Sequence, residues 1–250
     1  MAFLLFWLPT AFGGFGFFGN TGQAVVPNGL IAYWPLDDNR AGKSQDFRGN
    51  GYDLILTNQS SDSATPLTNS IVGNGIVFSN SFGYTTITSG LATNFTVTFW
   101  VCARSFPGNY EGLVTSIGPG AIGTASVWFG VMFNMGHLEA QMWDGTQNPA
   151  TGGPIPPAGV WNFVVAGLSN NVSLQFSANL GFVYATSAAM APTAYSQFRV
   201  GFGDGRVTYG QGCDAIIDDV RVYSRWLPLT DQTNIFKAGW GGHTNAPVNP

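Results

Sequence analysis

The chain carries 13 Asp and Glu residues, and its two glutamates are Glu111 and Glu139. Hydrolysis of a glycosidic bond needs two carboxylates flanking it, about 5–9.5 Å apart. Glu139 stands in His137-Leu138-Glu139-Ala140-Gln141-Met142-Trp143, and the nearest acid, Asp144, follows five residues later. Glu111 is far away in sequence. Nucleophilic chemistry has as little to work with. The two histidines are His137 and His243, and no G-x-S-x-G elbow occurs. Gly201-Phe202-Gly203-Asp204-Gly205 lacks the strand–helix setting of a phosphate loop, so a turn is the better reading. Cys102 and Cys213 have no zinc-type spacing; two buried free thiols are favoured over a bridge. The expectation is a protein that is not an enzyme.

Binding chemistry has better material. Oxygen-rich loops suit Ca²⁺, which takes six to eight oxygen ligands. Asp46 and Asn50 flank Gly49 in such a loop. In the stretch Ile216–Tyr223, Asp218 has the parity of Ile216, Val220 and Val222, which puts a carboxylate on an apolar-looking face. A buried lone carboxylate is costly and wants a partner. Two readings stand: a metal site, or an Asx-type turn closed by Asp46 with Asp218 paired to an arginine such as Arg221 or Arg48. For glycans, an exposed aromatic must sit beside hydrogen-bonding groups. Trp143 and Asp144 in Trp143-Asp144-Gly145-Thr146-Gln147-Asn148 are the first candidates, and Tyr110 in Asn109-Tyr110-Glu111 the next. Core packing is the alternative for each aromatic. Trp34, Trp100 and Trp161 are assigned to packing.

The elements that would position these residues are short strands. From Leu30 onward, apolar runs alternate with turn residues, the pattern of an all-β sandwich. Phe95, Val97, Phe99 and Val101 alternate with Thr96, Thr98 and Trp100, so these four share one face of that strand. Other strands are expected over 31–35, 53–57, 75–78, 84–87, 112–117, 126–134, 137–143, 161–168, 171–178, 181–185, 197–202 and 215–223. One short helix is expected over Pro228–Ala238. Asn148–Gly159, with four prolines, reads as a long surface loop.

Residues 1–36 carry no charge, and Phe, Leu and Trp crowd the start before Pro9 and a set of glycines. A signal peptide should open with a positive region, and this start has none. A membrane helix tolerates four interior glycines and a proline poorly. The favoured reading of 1–27 is an arm whose Phe3, Phe6, Trp7, Phe15, Phe17 and Phe18 are buried against other subunits. The body is 28–240 and the tail 241–250. Charged residues make up 9% of the chain and the net charge is −4. With lysine only at 43 and 237, nucleic acid and anionic lipid are poor partners.

Six segments, in order, resemble the laminin-G-like branch of the concanavalin A-like lectin/glucanase superfamily. They are Gly29–Asp37, Asp46–Asp53, Gly75–Phe78 with Tyr84–Ile87, Phe95–Val101, Gly159–Val164 with Val172–Asn179, and Ile217–Arg225. The resemblance spans about 28–240. It implies a jelly-roll sandwich of two antiparallel sheets. Related domains hold a structural Ca²⁺, which implies ligand roles for Asp46, Asn50 and Asp218, with Asp219 a weaker candidate. The glucanases of the superfamily carry Glu-x-Asp-x-x-Glu on one strand, and this chain lacks it.

Fold alone does not settle function. The first expectation is a structural protein of a larger homo-oligomeric assembly, a phage virion surface component such as a capsid decoration, spike or tail protein. The second is a secreted or cell-surface carbohydrate-binding or adhesion module, and a glycosidase or lyase comes third.

Overall fold

A computed structural model describes residues 26–58, 67–79, 81–87, 91, 94–105, 110–117, 128–143, 147–170, 173–181, 183–187, 197–201 and 211–240. The Phe-rich arm and the tail lie outside them. In chain order the strands are β1 (Leu30–Trp34), β2 (Lys43–Ser44), β3 (Leu54–Asn58), β4 (Leu67–Asn69), β5 (Asn74–Ser79), β6 (Ser81–Thr85), β7 (Phe95–Ala103), β8 (Glu111–Ile117) and β9 (Trp128–Asn134). There follow β10 (His137–Trp143), β11 (Gln147–Pro154), β12 (Trp161–Ser169), β13 (Ser173–Ala178), β14 (Tyr184–Ser187), β15 (Gln197–Val200), β16 (Gln211–Gly212), β17 (Asp214–Tyr223) and the helix α1 (Leu229–Trp240).

They form two antiparallel sheets. The first runs β14-β13-β12-β7-β17-β5-β4, with β1 also on β17. The second runs β11-β10-β9-β8-β15-β6-β3-β2, with β16 added parallel to β8. The inner faces meet in one core that includes Trp34, Phe78, Phe95, Phe99, Phe129, Phe133, Phe176 and Phe198. This is the expected all-β sandwich. Trp34 stacks on Phe198 at 5.4 Å and donates its indole N–H to the Tyr52 carbonyl at 2.7 Å, so this Trp is a packing residue, as expected. Cys102 and Cys213 are buried and unbridged.

Two expectations need correcting. The stretch 148–159 is not all loop: its first part is the edge strand β11, hydrogen-bonded to β10. Pro149 and Pro154 are tolerated there because an edge strand has one side without ladder partners. β7 buries both faces. Phe95, Val97, Phe99 and Val101 enter the inter-sheet core, while Trp100 joins Phe163, Val165, Tyr223, Leu227 and Ile235 in a second cluster on the outside of the first sheet. That cluster is the footing of α1. Phe236 stacks on Trp100 at 5.4 Å, and Gly239 lies so close that an added Cβ would fall 2.4 Å from the Trp100 indole nitrogen. Thr96 completes the joint: its hydroxyl donates to the Arg225 carbonyl at 2.8 Å and accepts the Leu227 N–H at 2.9 Å. Asp231 in the first turn and Lys237 in the last complement the helix dipole.

The second correction concerns Asp218. Its expected parity assumed an unbroken strand, but β17 carries a bulge between Asp218 and Arg221, with Asp219 in the left-handed region at φ 54°. The extra residue shifts the alternation. Ile217, Val220 and Val222 face the inter-sheet core, whereas Asp218 pairs across the ladder with Trp100 on the outer side.

Candidate functional site on the outer face of the second sheet

The outer face of the second sheet has no helix over it among the described residues. On β10, Leu138, Ala140 and Met142 enter the core, so the alternate residues Glu139 and Gln141 belong to the other face. On β9, Phe129, Val131 and Phe133 are core, which leaves Gly130, Met132 and Asn134 outside. On β15, Phe198 and Val200 are core and Arg199 is outside. The register lines up Tyr84, Arg199, Thr115, Gly130 and Gln141 in one row across β6, β15, β8, β9 and β10. Arg199 and Gln141 are three strand spacings apart, about 14 Å.

The polar residues of this face are buried: Asn134, Glu139, Gln141, Thr115 and Arg199 are each at most 8% exposed. At the β10 end, Oε1 of Glu139 accepts the side-chain amide of Asn134 at 2.8 Å and that of Gln141. Both amide nitrogens are therefore turned to the carboxylate. The amide oxygens, Asn134 Oδ1 and Gln141 Oε1, are buried and have no hydrogen-bond partner among the described residues. Such atoms are uncommon and call for a partner from outside. At the β15 end, Arg199 donates through Nε to Gln197 Oε1 at 2.5 Å and lies 5.5 Å from the Phe82 ring centroid. Small Thr115 and Gly130 separate the two ends. Aromatic and cationic groups at one end and acceptors at the other suit a polar, ring-bearing ligand.

The residues expected to bind glycan are only partly described. Trp143 ends β10, paired with Trp128 and Gln147, on the strand that carries Glu139 and Gln141. Asp144 lies outside the described residues. Tyr110 is half-buried with φ 60°, directly before β8. Sequence reasoning passed over Asn134, Glu139 and Gln141, because Glu139 was weighed only as half of a catalytic pair. The signal was present in Glu139 and Gln141 alternating with Leu138, Ala140 and Met142. The two glutamates do not occupy matching positions: Glu139 pairs with Met132 in the ladder, whereas Glu111 pairs with the core residue Phe133.

The loop expected to hold calcium does something else. Asp46 Oδ1 accepts the N–H groups of Tyr33 and Arg48, both at 3.0 Å, and Oδ2 accepts the Asn50 N–H at 3.1 Å. The Asn50 side-chain amide donates to the Ile31 carbonyl at 2.7 Å, and the Phe47 N–H donates to the Tyr33 carbonyl at 2.8 Å. The loop thus closes an Asx-type turn and hydrogen-bonds the free edge of β1. Donors are aimed at Asp46 where a cation would need open oxygens, so this pair does not fit Ca²⁺. Arg221 is paired with Asp219 at 3.0 Å, not with Asp218, and lies over the Tyr33 ring at 4.6 Å.

Asp218 has a different setting. Its Oδ2 accepts the Val72 N–H at 2.9 Å, while Asp37 Oδ1 accepts the Asn74 N–H at 2.7 Å, so two carboxyls hold the turn between β4 and β5. Asp218 Oδ1 and Asp219 Oδ2 are buried with no hydrogen-bond partner. Burial, and then the charge of Asp219, pushes the Asp218 carboxyl well above the usual range. Burial also raises Asp37. Among the described residues no three His, Cys, Asp or Glu side chains are grouped to hold a metal. A cation here would rest on Asp218 Oδ1 and Asp219 Oδ2, hard oxygen donors that suit calcium better than a transition metal.

A family model for laminin-G-like domains, described as the concanavalin A-like lectin/glucanases superfamily, matches residues 79–232. No curated protein matches the chain. Among solved structures, domain 4 of AbnA, an extracellular arabinanase of Geobacillus stearothermophilus solved in complex with arabinotriose, superposes with a TM-score of 0.67 at 14% identity, over 82% of this chain and 97% of that one. The binding domain of Paraclostridial Mosquitocidal Protein 1 gives 0.61 at 13% identity, over 84% of this chain and 52% of that one. Trypanosoma rangeli sialidase gives 0.64 at 13% identity, over 90% of this chain and 35% of that one. The chain thus spans nearly all of the arabinanase domain, but well under two thirds of the other two. At these identities the likeness is one of fold.

Proposed function

Because the chain belongs to the concanavalin A-like lectin/glucanases superfamily, we propose that it is a non-catalytic module that binds carbohydrate across the outer face of its second sheet. One observation carries this reading: the buried row from Arg199 to Gln141, with unfilled acceptors at Asn134 and Gln141. The arabinanase domain bound to arabinotriose supports it, as a module of nearly the same extent with a sugar ligand. A binding role in place of hydrolysis is supported by Glu139, the only carboxylate in the outward positions of β8, β9, β10 and β15 among the described residues. Two carboxylates would be needed to cleave a glycoside. Immobilised glycans of varied composition, probed with the full chain, test the reading. Binding that weakens in Glu139→Ala is expected; absence of binding to every glycan sinks it.

We propose further that the module works outside a cell or on a virion surface. The sparse charge and the Asn/Thr/Gly-rich composition support this setting. The assembly role of the arm, through Phe3, Phe6, Trp7, Phe15, Phe17 and Phe18 in a homo-oligomer, rests on sequence alone. Sedimentation of the chain with and without residues 2–22 tests it: an unchanged oligomeric state removes the arm as an assembly device. A structural calcium ion is proposed at Asp218 and Asp219, in place of Asp46 and Asn50. It would neutralise the two unpartnered carboxylate oxygens there.

A further inference from the structure

Resting on that carbohydrate-binding reading, we propose that the Asn134–Glu139–Gln141 end of the face is a subsite for an uncharged, hydroxyl-rich sugar ring, and that it rejects acidic sugars. The argument is one of donors and acceptors. Each side-chain amide has a nitrogen that donates and an oxygen that accepts. Here each nitrogen gives one of its two N–H groups to Glu139 Oε1. Among the described residues, the amide atoms left with no partner are the oxygens, Asn134 Oδ1 and Gln141 Oε1. The third member, Glu139, is an acceptor as well. The unfilled positions of the subsite are therefore acceptors, held in place by the clamp on Glu139.

A sugar hydroxyl donates, so two hydroxyls of one ring satisfy the two amide oxygens. A sugar carboxylate cannot donate to the two amide oxygens and puts a negative charge beside Glu139. It would leave the amide oxygens unfilled and add repulsion in a buried setting, where both are most costly. Arg199, the cationic residue of the row, is about 14 Å away across three strands, too far to neutralise an acidic group placed against Glu139. The selectivity follows from local chemistry, and it differs from what the sialidase fold neighbour would suggest.

The three groups are each at most 5% exposed, so a ligand must open a path to reach them. A buried network serving stability alone would have the same hydrogen bonds, and selectivity separates the two cases. The full chain is probed on immobilised neutral oligosaccharides, arabinotriose among them, and on sialylated or uronic-acid counterparts of similar length. Neutral members are expected to bind at least about tenfold more tightly than their acidic counterparts, since a site built to pair hydroxyls strongly rejects what leaves it unpaired. Equal or tighter binding of acidic glycans overturns the proposal. Gln141→Met keeps the length of the side chain and removes its acceptor; a drop in neutral-glycan affinity of about tenfold is expected in variant protein whose melting curve shows it folded. A folded variant that binds like wild type also overturns the proposal. Binding without discrimination sinks this inference alone, whereas no glycan binding at all sinks the carbohydrate-binding reading with it.

Discussion

The two outer faces of this sandwich are made from the same alternating strands and have been put to opposite uses. On the first sheet the outward residues Trp100, Phe163 and Tyr223 are large and aromatic, and α1 lies on them with Ile235 and Phe236. On the second sheet the outward residues Glu139, Gln141, Asn134 and Arg199 are polar: Asn134 and Gln141 donate to Glu139, and Arg199 donates to Gln197. An aromatic face sealed by a helix gains stability from area removed from water. A buried polar face gains little net stability from its hydrogen bonds, so the chain has a weaker structural reason to keep it. Of the two faces, the polar one is where function is to be sought.

If that contrast is right, damage to the sealed face lowers stability and spares binding. Trp100→Ala is expected to have the largest effect, about 3–5 kcal/mol of unfolding free energy, by leaving a cavity under α1. Denaturant titration measures it. Gly239→Ala should cost about 1–3 kcal/mol through overpacking, because the new Cβ would collide with the Trp100 indole. Glycan affinity per folded molecule should be unchanged in both. On the polar face, Glu139→Ala should reverse the balance. It leaves two buried amide nitrogens without their acceptor, at about 1–3 kcal/mol, and it should abolish detectable glycan binding. Loss of binding in Trp100→Ala, or its survival in Glu139→Ala, would erase the distinction between the faces.

Asp218 is a buried acid on the sealed face, and pH is the way to test it. Its folded carboxyl titrates well above the ordinary 3.8. Below 3.8 both folded and unfolded states hold the proton, and the full stability is present. As pH rises, the unfolded chain releases its proton first, so stability is lost up to the raised folded value. Asp37 acts in the same direction. Asp218→Asn should therefore gain on wild type in unfolding titrations as the pH rises above about 4. Calcium should cancel that gain by stabilising wild type at neutral pH, and chelator should restore it. A pH profile identical in the two proteins would remove the buried-acid account, and a melting curve indifferent to calcium and chelator would remove the cation.

Much of the fold was legible because it depends on alternation and turns. The strand Phe95–Ala103 and the strand His137–Trp143 lie where the sequence pattern places them. What alternation could not show was coverage from outside. Nothing in Phe95–Val101 says that a helix more than a hundred residues later will bury Trp100, and nothing in 148–159 says that its prolines meet a free sheet edge. The site was less legible for a related reason. Asp46 and Asn50 are the right residue types for a cation, and only the positions of the Tyr33, Arg48 and Asn50 N–H groups show that their geometry is already used. Asp218 was misplaced because a bulge leaves no mark in residue order. Glu139 was undervalued because its partners Asn134 and Gln141 support binding, whereas the question put to it was catalysis.

Phe47 provides the most demanding control, because it is expected to do nearly nothing. It is 71% exposed on the loop that guards β1, edge-on to Tyr33 at 5.6 Å. An exposed aromatic held by a rigid turn is also what a sugar ring stacks on, so residue type alone would favour Phe47 over Glu139 as a glycan contact. Phe47→Ala removes the ring and leaves the backbone bonds of Asp46, Phe47 and Asn50 to β1 in place. A surface change of this kind should move stability by no more than about 0.5 kcal/mol and should leave glycan affinity unchanged. If instead the variant folds normally and loses binding, the ligand sits at the edge of the first sheet. The buried row on the second sheet would then be a structural network, and the contrast between the two faces would carry no functional meaning.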